Sequence, residues 1–569
     1  MKFTFKSIFK FLLSFNITRI LNSRSYIVGV IILYLKTKIL PIFLLNNIPL
    51  LNIDYDENER DIVEYRTSQG IYNNKSKCPV GAVKQLFQRN INYTEYESYK
   101  LPLNDPPVDN VADKLMKITS PTLAPHLNIF VCAWIQLMTH DWFSHKTTNE
   151  KKVLDRKNIV DKVIDEQDYY SNQSTHWWDG SMIYGSDIET TKRLRDTDPN
   201  KAGYLLVKDD YLPIDDKGDE DIGFTENRWF GLMMVNNLLV KEHNYICDII
   251  SEAYPEKTSD EVFNLSRLIL TAGIAKIHTI DWTTAILQHK VSRLAQYLIW
   301  YGIVGCVMKN KGINTGIFEL TGHAGENPHD NGDNFAHTEE FVSVYRMHTL
   351  LPNNINIISP QTNEIVDTIK FQDIVNSVNT KYDKEHIVYS MGINPCGALV
   401  LHNSPQLDSV GVDFGSIDIT RDRQRKVPRF NDFRRGFMLK PFKSFDEFDI
   451  DEDTRNVMKQ VYDNDIEKVD LIVGTHAEPK ITGNVFGETI YSVFIIQTTR
   501  RISKDRFLSN DFNERVYTKV GFKYVDELTF ASILRRHYPE LKKYLDNDDN
   551  AFLNWRNKNT NLKIFEKLF

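Results

Sequence analysis

Seven apolar stretches recur at helical spacing along this chain, at 127–143, 229–250, 261–307, 339–350, 455–474, 485–501 and 527–545. Strand signals between them are few and short, with "GYLLV" at 203–207 the clearest. A chain patterned in this way packs helix against helix around one core. The expected fold is mainly α, a single large helical domain with few short strands. At 569 residues the chain is long for one domain but allows one large core plus an appendage. Polar connections at 146–176, 208–227 and 311–337 separate the helices, and connections of that length are usually functional or disordered.

Charge divides the chain unevenly. The net charge of −7 over this length does not suggest a nucleic-acid binder. Residues 1–50 carry Lys2, Lys6, Lys10, Arg19, Arg24, Lys36 and Lys38 and no acid; with +7 there and −7 in total, the rest carries −14. The longest uncharged stretch there, "SYIVGVIILYL" at 25–35, is well short of the ~20 apolar residues needed to span a bilayer. "FKSIFKFLLSF" sets Phe and Leu against Lys at roughly helical spacing. That is the pattern of an amphipathic helix lying in a membrane interface, so residues 1–74 are read as a basic membrane-associating segment and 75–569 as the catalytic domain. A cleaved targeting peptide is the alternative reading. The five cysteines are odd in number and far apart, so neither a disulfide framework nor a zinc site is written here, and an intracellular, reducing setting with peripheral (monotopic) membrane association is expected.

Three groups of side chains carry chemistry. Gln136 and His140 share one face of the apolar helix in "NIFVCAWIQLMTHDWFSH", and such a helix buries them only if they are satisfied or used. His145, five residues on, falls on another face, which argues against shared ligation with His140. In "STHWWDGSMIYGSD", Thr175, Trp177, Asp179 and Ser181 alternate at a spacing of two; with Asp141 they form an oxygen set suited to Ca²⁺, or else a Ser/Asp-rich turn. In "VYRMHTLLP", Tyr345 precedes His348 by three residues, one turn apart if the segment is helical. Any one of these side chains read alone is most simply structural.

Together the motifs resemble the animal haem-peroxidase and cyclooxygenase superfamily, most closely its fatty acid α-dioxygenase branch. "IQLMTHDWFSH" resembles the distal-histidine helix and "WWDGSMIYGS" the calcium loop. "LLVKEHNYICD", "AKIHTIDWT", "YRMHTLLP", "NPCGALVLHNSPQ", "RDRQRKVPRFNDFRR", "KVDLIVGTHAE" and "TRRISKDRF" follow in the family's order, so the resemblance runs from about residue 75 to about residue 545. The N-terminal segment resembles the membrane-binding helices of the same branch.

The resemblance implies roles position by position. His348 is the proximal ligand of a haem b iron, His140 the distal histidine, and Gln136 lines the distal pocket. Tyr345 is the catalytic tyrosine, oxidised to a phenoxyl radical. Asp418 is the partner of the proximal histidine, and Arg421 faces a haem propionate. His278, Thr283 and Arg501 bind the fatty acid carboxylate, with Arg500 the alternative for the last. Asp141, Thr175, Trp177 through its carbonyl, Asp179 and Ser181 hold calcium. The implied reaction adds dioxygen at C2 of a long-chain fatty acid; whether an aldehyde dehydrogenase follows is left open. Thr139 and Arg228 stand where relatives that tether haem covalently carry acids, so the haem is expected to be noncovalent. Thr225 stands near the position of a peroxidase's distal arginine, which weakens the alternative of a haem peroxidase oxidising small donors. A non-catalytic haem or lipid-binding protein is the third reading, and it needs neither Tyr345 nor Arg501.

Overall fold

A computed structural model of the chain describes residues 64–145, 170–214, 220–226, 229–310, 335–373, 382–407, 411–547 and 549–556, together with 20–21, 28–33, 36, 44, 48, 50–56 and 322–323. The expected mainly α architecture is what these residues adopt. Six helices position the site: α1 (Phe130–Trp142), α2 (Phe230–Ala253), α3 (Ser259–Lys276), α4 (Glu339–Val344), α5 (Phe414–Gln424) and α6 (Glu488–Lys504). Strands among the described residues form three short antiparallel pairs, of which Asn354–Ile358 with Ile365–Lys370 is the longest. The expected strand at 203–207 is instead loop, touching Arg195 through a single bridge at Leu205.

Helix α1 runs through the core because nearly all of its side chains are apolar, and Phe130 to Met138 are buried except at Gln136. Asn128 fixes its start. The side-chain amide donates to the carbonyls of Ala551 and Leu553 at 2.7 and 2.9 Å, and its oxygen accepts from Phe130 N at 3.1 Å. Helix α2 packs on α1 and on α3, whose start carries a Thr258–Glu261 capping box.

The single apolar stretch expected at 261–307 is broken. Helix α3 passes into a π turn at Ile277–Trp282, then Thr283–Ile286, and a new helix begins at Lys290. Packing accounts for the change of pitch. Lys276 Nζ donates to the carbonyls of Val525, Asp526 and Leu528 at 3.0, 2.6 and 2.7 Å, and Asp281 accepts from Phe530 N at 2.8 Å. These ties pull the backbone outward on both sides of His278.

The helix expected over 339–350 also ends early. Helix α4 stops at Val344, Tyr345 is its C-cap, Met347 is non-helical, and His348 opens a separate 3-10 turn. Tyr345 and His348 therefore do not lie on one helix face as the three-residue spacing suggested. The helical body also takes in chain before residue 75: Arg66 donates to both oxygens of Asp505 at 3.0 and 3.2 Å, and Asn73 joins at 3.1 Å. Most of residues 1–63 lies outside the described residues, as does Arg228, and no described helix is long and apolar enough to cross a membrane.

Candidate active site

His348 and Asp418 form the proximal side. Asp413 caps α5 by accepting from Gly415 N at 3.1 Å, and the helix carries the buried Asp418 to His348. Its Oδ2 lies 2.7 Å from Nδ1 of His348. A carboxylate on Nδ1 fixes the tautomer, so the lone pair sits on Nε2 and is available to a metal. The ring is backed by Phe414, stacked at 4.4 Å between centroids, and the side chain keeps 27% of its surface open. Arg421 follows on the same helix, half-buried.

His140 and Gln136 stand on the last turns of α1. The His140 ring is half-buried and packs 4.5 Å from Phe224, while its Nδ1 is buried and has no hydrogen-bond partner among the described residues. Burial, helped by the nearby charge of His348, pushes its pKa down to about 3, so the imidazole is neutral. Gln136 accepts from Trp229 Nε1 at 2.6 Å, which aims the amide. Thr139 returns its hydroxyl to the Gln136 carbonyl at 2.9 Å. An imidazole tied at Nδ1 on one side, and an orphaned neutral imidazole on the other, suit a haem between them.

Tyr345 and Arg501 are a fully enclosed polar pair. The phenol is buried and its oxygen has no hydrogen-bond partner among the described residues; its ring stacks on Phe494 at 5.8 Å and 3° and tilts against Phe341 at 4.3 Å. Burial raises its pKa well above the ordinary tyrosine value, and the Arg501 charge offsets part of that. Arg501 is 1% exposed, and none of its three guanidinium nitrogens has a hydrogen-bond partner among the described residues. Burial pushes its pKa down to about 9 against the pull of Asp141, Tyr345, Asp505 and Asp179. Arg500 points elsewhere, over the Phe335 ring at 5.1 Å.

The π turn supplies His278. Its Nδ1 accepts from Trp134 Nε1 at 3.3 Å, its ring stacks on Trp282 at 4.8 Å, and its Nε2 is buried without a partner. Burial, then Arg501, drive its pKa well below the ordinary histidine value. Its centroid lies 6.4 Å from that of Tyr345. The Thr283 hydroxyl closes the turn on the His278 carbonyl at 2.7 Å, so in this state it serves the backbone.

The oxygen set converges in part. Thr175 and Ser181 hydroxyls both donate to Asp179 Oδ1, at 2.6 and 3.1 Å, and lie 3.4 Å from each other. Ser181 gets there because Gly180 turns left-handed at φ 71° and starts a short helix, and not by strand alternation. Asp141 accepts from Met182 N at 3.1 Å, which ties this loop to α1. Burial, then Asp179, push the Asp141 carboxyl up to about 7. Two buried carboxylates that repel, with hydroxyls around them, are a donor set suited to a hard cation. Among the described residues no group of three or more His, Cys, Asp or Glu side chains converges on one point.

Sequence reading missed the aromatic residues that frame these groups. Trp142, Trp178, Trp229 and Phe414 have no periodicity that separates them from core. It also missed the His145–Glu339 pair, whose nitrogen and oxygen lie 3.0 Å apart.

The animal haem peroxidase family model matches residues 65–167 and 155–552. The alpha-dioxygenase PIOX of Oryza sativa subsp. japonica is 33% identical, over 86% of this chain and 86% of its own. Alpha-dioxygenase 2 of Arabidopsis thaliana is 33% identical over 89% of this chain and 86% of its own. Among solved structures, the fatty acid alpha-dioxygenase of Arabidopsis thaliana superposes with a TM-score of 0.84 at 29% identity, covering 96% of this chain and 93% of that one. A tyrosine-to-phenylalanine variant of the Oryza sativa fatty acid alpha-dioxygenase with palmitic acid superposes with a TM-score of 0.84 at 30% identity, covering 97% and 98%.

Proposed function

Since this chain belongs to the animal haem peroxidase family, among its α-dioxygenases, we propose that it adds dioxygen at C2 of long-chain fatty acids and yields 2-hydroperoxy acids. The observation that carries this reading is Arg501, a buried cation with every donor free beside a buried tyrosine. A guanidinium in that state is matched by a carboxylate, which its fork binds bidentately. His278 Nε2 is a second free nitrogen near the same tyrosine.

Haem, held noncovalently by His348 beside His140, would supply a one-electron oxidant. Asp418 holds the His348 proton at Nδ1 and so leaves the Nε2 lone pair free for a metal. Tyr345 would pass an electron and its phenol proton to that oxidant, leaving the phenoxyl radical. Its shell of Phe341, Phe494 and Trp142 keeps water from the phenol. Arg501 holds the carboxylate, so C2 and not a mid-chain carbon lies against Tyr345. Hydrogen transfer from C2 restores the phenol, dioxygen adds to the carbon radical, and the peroxyl radical takes a hydrogen atom back from Tyr345. A calcium ion held by Asp141, Thr175, the Trp177 carbonyl, Asp179 and Ser181 would join the loop to α1. The basic segment before residue 51, with Val28 and Ile31 exposed, is the proposed membrane-facing part from which fatty acid enters.

The test is oxygen uptake by the haem-loaded protein on adding palmitic acid, with the product identified by mass spectrometry. A 2-hydroperoxy acid or its one-carbon-shorter aldehyde is expected. Tyr345→Phe should abolish uptake and leave the haem spectrum unchanged; uptake that survives this change would remove Tyr345 from the mechanism.

A further inference from the structure

Arg501 is held against aromatic rings and donates to no acceptor among the described residues. Its guanidinium carbon lies 3.5 Å from the centroid of the Trp142 ring and 4.1 Å from that of Trp178. The two indoles meet at 81° with centroids 5.1 Å apart, so they make a corner in which the cation sits. Arg66 and Arg423, also buried, are held differently. Arg66 donates to Asp505, and Arg423 to Asp470 and to the carbonyls of Leu103 and Pro106. Bonds of that kind use the N–H groups that an incoming ligand would need. A cation held by aromatic rings has spent no N–H on a carboxylate or carbonyl acceptor.

Each tryptophan is held at its backbone by a neighbouring side chain. The Trp178 backbone N–H donates to Asp505 Oδ2 at 3.2 Å, and the Trp142 carbonyl accepts from Asn172 Nδ2 at 2.8 Å. Asn172 also accepts from Ser144 N at 2.8 Å, which holds the chain just beyond Trp142. The Trp142 ring lies 5.7 Å from that of Tyr345 as well as against Arg501. One indole thus spaces the cation from the phenol.

We propose that Trp142 and Trp178 are positioning residues: they hold the Arg501 fork open toward a carboxylate, and Trp142 sets its distance from Tyr345. This rests on the α-oxygenation reading, in which that distance selects C2. The corner selects a free acid over its ester, because a carboxylate brings a negative charge and two equivalent acceptor oxygens to the open fork and an ester does not.

The experiment uses the full haem-loaded chain, with calorimetric binding of palmitic acid and of its methyl ester, oxygen uptake, and the position of oxygenation. Trp178→Leu removes one face, while Trp178→Phe and Trp142→Phe keep aromatic bodies with smaller faces. Affinity for the acid should fall in the order Trp, Phe, Leu at position 178, on the order of tenfold at Leu. Affinity for the ester should stay level. With Trp142→Phe, products oxygenated beyond C2 should appear. Should Trp178→Leu fail to fold, the two Phe variants decide: acid affinity and C2 selectivity equal to wild type in both overturn the proposal. Acid-over-ester preference lost in the variants, with no oxygen uptake even by wild type, keeps the clamp and removes the oxygenation reading. Uptake with the preference intact in every variant removes the clamp and leaves that reading standing.

Discussion

The His348–Asp418 pair shows how one buried carboxylate orients an imidazole. At 2.7 Å, with Asp418 enclosed, the carboxylate fixes the proton at Nδ1 and leaves the Nε2 lone pair available to a metal. Asp418→Asn keeps the shape and removes the charge. Haem affinity should drop by about 10- to 100-fold, and the reduction potential should rise because the oxidised iron loses anionic support. Haem titration and spectroelectrochemistry check both. Arg501→Lys keeps a charge and loses the planar fork that Trp142 and Trp178 grip. Its KM for palmitic acid should rise on the order of 10- to 100-fold with a smaller change in kcat. Arg501 was legible because it belongs to a quoted motif, and Asp418 because it precedes one by three residues. The two indoles lie inside motifs and were still passed over, since a tryptophan there looks like core until the cation is seen on its ring.

Helices were legible where apolar spacing alone decides them, as in α1, α2 and α6. They were misjudged where a tertiary tie overrides pattern. The apolar period runs on past Val344, yet the chain leaves the helix there and turns His348 toward Asp418. The π turn at His278 is likewise set by Lys276 and Asp281, whose partners lie some 250 residues away in sequence. The loop of Thr175–Ser181 depends on close backbone approach. Gly81, at φ 69°, lies against the Trp177 indole, and a methyl group there would collide with the ring. Gly81→Ala should therefore cost about 2–4 kcal/mol and loosen the loop, read as a lower unfolding midpoint and weaker calcium protection against heat.

Across the molecule, burial keeps many histidines neutral. His145 and His243 are held at about 3 and about 4, and His323 at about 4, each through burial first. His243 is satisfied as a neutral ring, between the Tyr184 hydroxyl at 2.8 Å and the Gly203 carbonyl at 3.0 Å. An unfolded histidine takes its proton near pH 6.5, and these take theirs only near 3–4, so the unfolded state binds more protons in between. Their contribution to stability is whole above pH 6.5 and is lost as pH falls toward 3–4, each by up to about 1.4 kcal/mol per pH unit. Thermal midpoints should fall steeply between pH 6.5 and 4.5, and His243→Gln should flatten that slope. Asp505 has a different reach. It receives Arg66 and Asn73 from the start of the body and the Trp178 N–H from its middle, four residues after Arg501. During synthesis, a nascent chain that has emerged only to residue 500 lacks the acceptor on which all three converge. The pocket around Tyr345 and Arg501 is therefore closed only after residue 505 has been made, and a shorter nascent chain leaves it open to solvent.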